Sequence, residues 1–359
     1  MAVKLLKLTA NRIAAMSDHQ QIMDCVESVT KNLKDYNKEK DIITLENLKD
    51  ICIEEKMVIE MAEMYRNIGM YHFYANNLNE ATISMQLAVD ILRMENCTKL
   101  LAEYYSDLGL VYFYNHEYLY SRRYYEEAEK LLAQESDIDK HIAYLHYFRY
   151  GMLLNSMQEY THSKLKLEKA LSFAEDDKDT ALIIMNFGIL AKKQKDMKTA
   201  LKFYSKALWL VGDKDMKLKG IVYNNIAEVY KTLGQYEKAL SYIDRAFKCI
   251  SDDNLSRLFV FFNTYTEIKI LMGEREAVLD KFLQLLGRVK EFHLYRALII
   301  EGIRNMIVIG SEDESILERL ETAILKLIKE NAYGHDEFVR ELKACLENIR
   351  LYLKDQKII

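Results

Sequence analysis

From about residue 57 onward the chain repeats one arrangement of polar, large and very small positions. Five triplets carry it: Asn67-Ile68-Gly69, Asp107-Leu108-Gly109, Arg149-Tyr150-Gly151, Asn186-Phe187-Gly188 and Asn225-Ile226-Ala227. Each runs polar, large apolar, tiny, and the tiny residues are spaced by 40, 42, 37 and 39. Twelve residues after each comes another small side chain: Ala81, Ser121, Ser163, Ala200 and Ala239. Seven further on stand Ala88, Ala128, Ala170, Ala207 and Ala246, with a bulky Met85, Tyr125, Leu167, Tyr204 or Ile243 in between. No alternating strand pattern of useful length interrupts this.

The pattern predicts helix packed on helix. A Gly or Ala in the first helix lets the second approach closely, and two small residues seven apart share one face of that second helix. One such hairpin cannot bury both of its faces, so hairpins stack and share a core.

The stretch 223–250, YNNIAEVYKTLGQYEKALSYIDRAFKCI, resembles the tetratricopeptide consensus, and 186–210, NFGILAKKQKDMKTALKFYSKALWL, is similar to it. The resemblance is clear over residues 57–250 and weaker through 257–285 and 295–329. The Pro that usually closes each repeat is missing, and the longer spacing implies longer helices. The resemblance implies an all-α chain: a right-handed superhelical solenoid of tetratricopeptide-like helical hairpins with helical N- and C-terminal caps. Long repeats, a separate N-terminal segment and a composition rich in Lys, Glu, Ile and Tyr look like the peptide-pheromone-responsive regulators of Gram-positive bacteria. That group includes Rap-type phosphatases and the tetratricopeptide domains of Npr- and Plc-type regulators.

Three regions are expected: an N-terminal helical cap or small effector bundle at 1–56, repeats at 57–290, and a degenerate repeat with C-terminal capping helices at 291–359. Ser17-Asp18-His19-Gln20 reads as a capping box opening a helix to about Lys34, and a second helix is predicted from Thr44 to Lys56. A charged helix is predicted from His335 to Lys354.

Composition sharpens this picture. Among 359 residues there is no Pro and there are only 12 Gly, which favours helices joined by short polar turns. The net charge of -5 and the absence of a helix-turn-helix pattern do not favour nucleic acid through this chain alone, although a local basic patch is compatible with it. Five scattered cysteines form no CxxC and read as ordinary thiols. With no signal-peptide pattern and no long apolar run, the chain is expected to be cytoplasmic, with no membrane contact.

Candidate chemistry is sparse. No nucleophile elbow, zinc-protease, P-loop or dinucleotide motif occurs, so no catalytic residue, metal or cofactor is assigned. Glu159 and His162 have the spacing of half a di-iron site but have no second copy, and read as a surface pair. The aspartates at 176–177, 213, 215 and 252–253 read as turn residues. Rap-type phosphatases use a side chain of their N-terminal bundle on a response regulator's phospho-aspartate. Here Gln20 and Gln21 are the amides of that kind in residues 1–56, and they carry no assigned catalytic role.

The resemblance places the binding face on the first helix of each hairpin. The candidates are Asn67; Asp107 and Tyr114; Phe148, Arg149 and Met152; Met185, Asn186 and Lys193; Asn224, Asn225 and Glu228; and, by phase, Asn263. An amide offers a donor and an acceptor, so an Asn ladder suits the backbone of an extended peptide. Phe148, Met152 and Met185 would form apolar pockets, and Arg149 or Lys193 would meet a terminal carboxylate. The expected function is a peptide-sensing regulator that controls an effector protein. The alternatives are a constitutive scaffold or co-chaperone gripping a protein tail, a Rap-like phosphatase, and the sensor portion of a longer transcription regulator. A homodimer is left open.

Overall fold

A computed structural model describes residues 19–31, 39–75, 77–134, 139–250, 255–287, 296–311, 313–330 and 336–356. These form seventeen helices and, among the described residues, no strand. They fall into two compact units, 1–179 and 180–359.

The first unit holds α1 (His19–Lys31), α2 (Glu39–Glu54), α3 (Val58–Tyr74), α4 (Leu78–Met94), α5 (Thr98–Tyr114), α6 (Tyr118–Leu132), α7 (Lys140–Ser156) and α8 (Tyr160–Phe173). Here α3–α4, α5–α6 and α7–α8 are the repeated hairpins, and α1 packs on α2 and α3. The second unit takes all but the first turn of α9 (Asp177–Lys193), then α10 (Met197–Val211), α11 (Met216–Thr232), α12 (Tyr236–Lys248), α13 (Leu255–Leu271), α14 (Arg275–Leu286), α15 (Arg296–Gly310), α16 (Glu314–Glu330) and α17 (Asp336–Gln356).

The spacing rule is realised atom by atom. A Cβ added to Gly69 would stand 2.8 Å from Met85, and one added to Gly188 would stand 2.5 Å from the Tyr204 ring. Each tiny residue is thus the seat of the bulky residue sixteen positions on. Met85, Tyr125, Tyr204 and Ile243 are fully buried there. Where the small residue of the second helix is Ser, it adds a bond: Ser121 Oγ donates to the Gly109 carbonyl and Ser163 Oγ to the Gly151 carbonyl, both at 2.7 Å.

The turns inside the hairpins share one backbone device. The first helix of a hairpin closes with a residue in the left-handed region: His116 (φ 61), Gln158 (φ 64), Lys195 (φ 63), Gly234 (φ 70) or Gly273 (φ 78). The next amide then bonds back five residues, as from Glu159 to Leu154 at 2.8 Å and from Gln235 to Tyr230 at 2.9 Å.

At the N-terminal end, Ser17, Asp18 and Lys34 lie outside the described residues, and helix is described from His19 to Lys31. The second helix begins at Glu39, earlier than predicted, and stops at Glu54, because Lys56 takes φ 58 and cannot continue a right-handed helix. The last helix runs Asp336–Gln356, with His335 outside the described residues. Asp252 and Asp253 are also outside them, whereas Asp196 and Asp215 cap helices through the amides of Thr199 and Leu218.

Candidate functional site

In the first unit α3, α5 and α7 are the first helices of consecutive hairpins, and α5 packs on α7. Across them runs a buried line of charge. The Asp107 carboxylate, 2% exposed, accepts from Arg66 Nε of α3 and from Arg149 Nη1 of α7, both at 2.6 Å. Arg66 Nη2 donates to Glu103 Oε1 at 2.6 Å, and its guanidinium lies 5.1 Å from the centre of the Tyr104 ring. Burial alone would push the Asp107 carboxyl up, but the two guanidiniums outweigh it and hold the group below its ordinary range. Glu103 is raised by burial, against the pull of Arg66.

Around this line lie the other residues predicted for the first unit. Asn67 is buried and donates to Thr30 Oγ1 of α1 at 2.7 Å. Phe148 is half-buried and stacks on Tyr144 at 5.8 Å, and Met152 is half-buried. Tyr74 and Tyr114 end α3 and α5 with exposed rings, and Phe73 meets Tyr114 edge-on at 5.2 Å.

The first helices of the second unit, α9, α11 and α13, carry a different polar set, and α11 packs on α13. Glu228 Oε1 accepts from Lys231 Nζ at 2.8 Å and from Thr264 Oγ1 at 3.0 Å, and Lys192 Nζ is 3.7 Å from Oε2. Lys231 also pairs with Glu267. Burial would raise the Glu228 carboxyl, but Lys231, Lys192 and Thr264 keep it below its ordinary range. Burial lowers Lys192, with Glu228 opposing. Met185 and Asn186 are buried, and Asn186 Nδ2 donates to the Leu182 carbonyl of its own helix at 2.9 Å. Asn224 is buried, and its Oδ1 has no hydrogen-bond partner; Thr266 Oγ1 on α13 is in the same condition. Asn225 is half-buried, whereas Lys193 and Asn263 are exposed.

The predicted residues therefore do not form one uniform ladder. Asp107 and Arg149 are brought together, Asn67 faces α1, and Asn224 keeps an unused acceptor. Sequence reasoning missed Arg66, Glu103, Lys192 and Lys231. A signal existed: opposite charges separated by one repeat, as in Arg66–Asp107, Lys192–Glu228 and Lys231–Glu267.

Elsewhere, Glu159 takes His162 at 3.3 Å and Arg122 at 2.6 Å on the surface, and no group of three or more metal-ligating side chains occurs among the described residues. Gln20 and Gln21 are exposed on α1, and Gln20 Nε2 donates to Asp24 at 2.8 Å. No described helix is long and apolar enough to cross a membrane.

A tetratricopeptide-repeat family model matches residues 222–250, and no curated protein matches. The structure titled "Crystal Structure of the Apo Form of RapI" is similar at TM-score 0.55 and 15% identity, over 95% of this chain and 99% of that one. "Crystal Structure of Rap Protein Complexed with Competence and Sporulation Factor" is similar at TM-score 0.51 and 14% identity, over 94% and 99%. Against "Crystal structure of APC/C hetero-tetramer Cut9-Hcn1" the TM-score is 0.47 at 15% identity; that likeness takes in 82% of this chain, which spans only 54% of that one. The fold is that of a tetratricopeptide protein resembling the Rap type.

Proposed function

We propose that this chain is a peptide-binding regulator. A short extended peptide lies along the first-helix faces, and its occupancy controls a protein partner. The supporting observation is the run of accessible polar side chains on the first helices of the second unit, half-buried Asn225 and Glu228 on α11 and exposed Asn263 on α13. Half-buried Asn225 offers a donor and an acceptor of its own. The likeness in fold to a Rap protein titled as complexed with Competence and Sporulation Factor agrees with this reading.

The test is native mass spectrometry of the protein incubated with peptides fractionated from its host's culture, followed by titration of any retained peptide. The expected result is a retained peptide of a few residues whose affinity falls at least about tenfold in Asn224→Ala/Asn225→Ala, since each bond is worth about 1 kcal/mol. A folded protein that retains nothing would replace this reading with that of a constitutive protein-tail scaffold.

A further inference from the structure

The region 192–219 contradicts the charge of the whole chain. It holds nine lysines against three aspartates, in a protein of net charge -5. All three aspartates are occupied locally: Asp196 caps α10, Asp215 caps α11, and Asp213 pairs with Lys219. Lys198, Lys202 and Lys206 are exposed and form no ion pair among the described residues.

Helix geometry gathers these charges. On α10 the buried residues are Ala200, Tyr204, Ala207 and Val211, one face at helical spacing. Lys198, Lys202 and Lys206, four apart, therefore line the opposite face, about 6 Å from one to the next along the axis. The only Trp of the chain, Trp209, continues this stripe one turn beyond Lys206 and is 79% exposed. An indole left in water forgoes the favourable burial of its large apolar ring. A solubilising surface has use for the lysines but not for the Trp. Trp is among the residues that carry most of the binding energy at protein interfaces.

We propose that the outward face of α10 docks an acidic protein surface, with Lys198, Lys202 and Lys206 meeting carboxylates and Trp209 making the apolar contact. This deepens the regulator reading by giving the controlled partner a surface separate from the peptide-binding faces, and it rests on there being such a partner. Carboxylates four apart on a partner helix repeat at the same spacing of about 6 Å, so the two rows can align. The stripe contains no Arg, the residue suited to bidentate phosphate recognition, which disfavours nucleic acid. One indole on a single helix face gives little apolar area for insertion into a lipid surface.

Because Trp209 is the only Trp, its emission reports on this stripe alone. The experiment titrates the full chain with a synthetic helical peptide bearing Glu at every fourth position and one terminal Leu. Phosphatidylserine vesicles and a single-stranded oligonucleotide are titrated in parallel. The expected result is a saturable blue shift with the acidic peptide that weakens as salt is raised. Lys198→Glu/Lys202→Glu/Lys206→Glu should weaken it at least about tenfold, with helical content unchanged. The milder Lys→Gln triple variant should fall between. No shift, an equal shift in the charge-reversed chain, or a stronger response to vesicles or oligonucleotide would overturn the proposal. Asn224→Ala/Asn225→Ala separates the two readings. If only the peptide reading fails, no culture peptide binds but the Trp209 titration stays intact; if only the stripe fails, peptide binding persists without a Trp209 response.

Discussion

Arg149 and Asp107, 42 residues apart in the chain, meet at 2.6 Å between α7 and α5, and Arg66 reaches the same carboxylate from α3. One buried acid thus ties three consecutive first helices together. Two cations share it with little water to replace it, so its removal costs more than the bonds themselves.

Asp107→Asn leaves Arg149 without its counter-charge and Arg66 with Glu103 alone. A loss of about 3–5 kcal/mol in urea unfolding is expected. Exposed Lys193→Ala should change stability by no more than about 0.5 kcal/mol. A loss below about 1 kcal/mol for Asp107→Asn would show that solvent screens these ion pairs. The Asp107 pKa is depressed on folding, so its stabilisation is present above the ordinary value near 3.8 and is lost as pH falls through the lower folded value.

His146 supplies a pH dependence of its own. Its ring is buried among Tyr125, Tyr147 and Tyr150, and neither nitrogen has a partner. Burial, followed by Lys166, Arg149 and Lys169, brings its pKa down to about 3 from 6.5. The unfolded chain therefore takes up a proton that the folded chain refuses. Stability should fall as pH drops below 6.5, by up to about 1.4 kcal/mol per unit, until the folded pKa is reached. The checkable quantity is the stability of His146→Leu minus that of wild type. It should grow in favour of the variant by roughly 2 kcal/mol between pH 7 and pH 5. A difference independent of pH would contradict this.

Gly188→Ala adds a methyl 2.5 Å from a ring atom of fully buried Tyr204. Despite the better helix propensity of Ala, the variant should lose about 1–3 kcal/mol. The converse change in the next repeat, Ala227→Gly, meets no such clash and should cost only about 1 kcal/mol. Thermal unfolding of both variants measures the contrast, and equal losses would show that Tyr204 relaxes freely.

Gln158 closes α7 at φ 64, where Gly234 closes α11 at φ 70. Gln158→Gly should stabilise the protein by about 1 kcal/mol, since the left-handed conformation penalises a side chain. An unchanged or lower melting temperature would mean that the Gln side chain offsets that penalty.

What was legible in the sequence alone was the hairpin and its repetition. A tiny residue and the bulky residue sixteen places on must meet whenever two helices of fixed pitch are joined by a short turn, so local spacing was enough to pair Gly69 with Met85 and Gly188 with Tyr204. The same spacing marked which positions lie on the first-helix face. It could not say what each polar side chain there would meet, because that depends on neighbours a whole repeat away. Asn67, Asp107, Arg149, Asn186 and Asn225 occupy equivalent positions, yet Asn67 bonds to Thr30, Asp107 to two arginines and Asn186 to its own helix. Tertiary packing decided those partners, left Asn224 Oδ1 without one, and turned Trp209 outward. Side-chain reach and burial are three-dimensional quantities, and the order of residues along the chain constrains them only through the helices it builds.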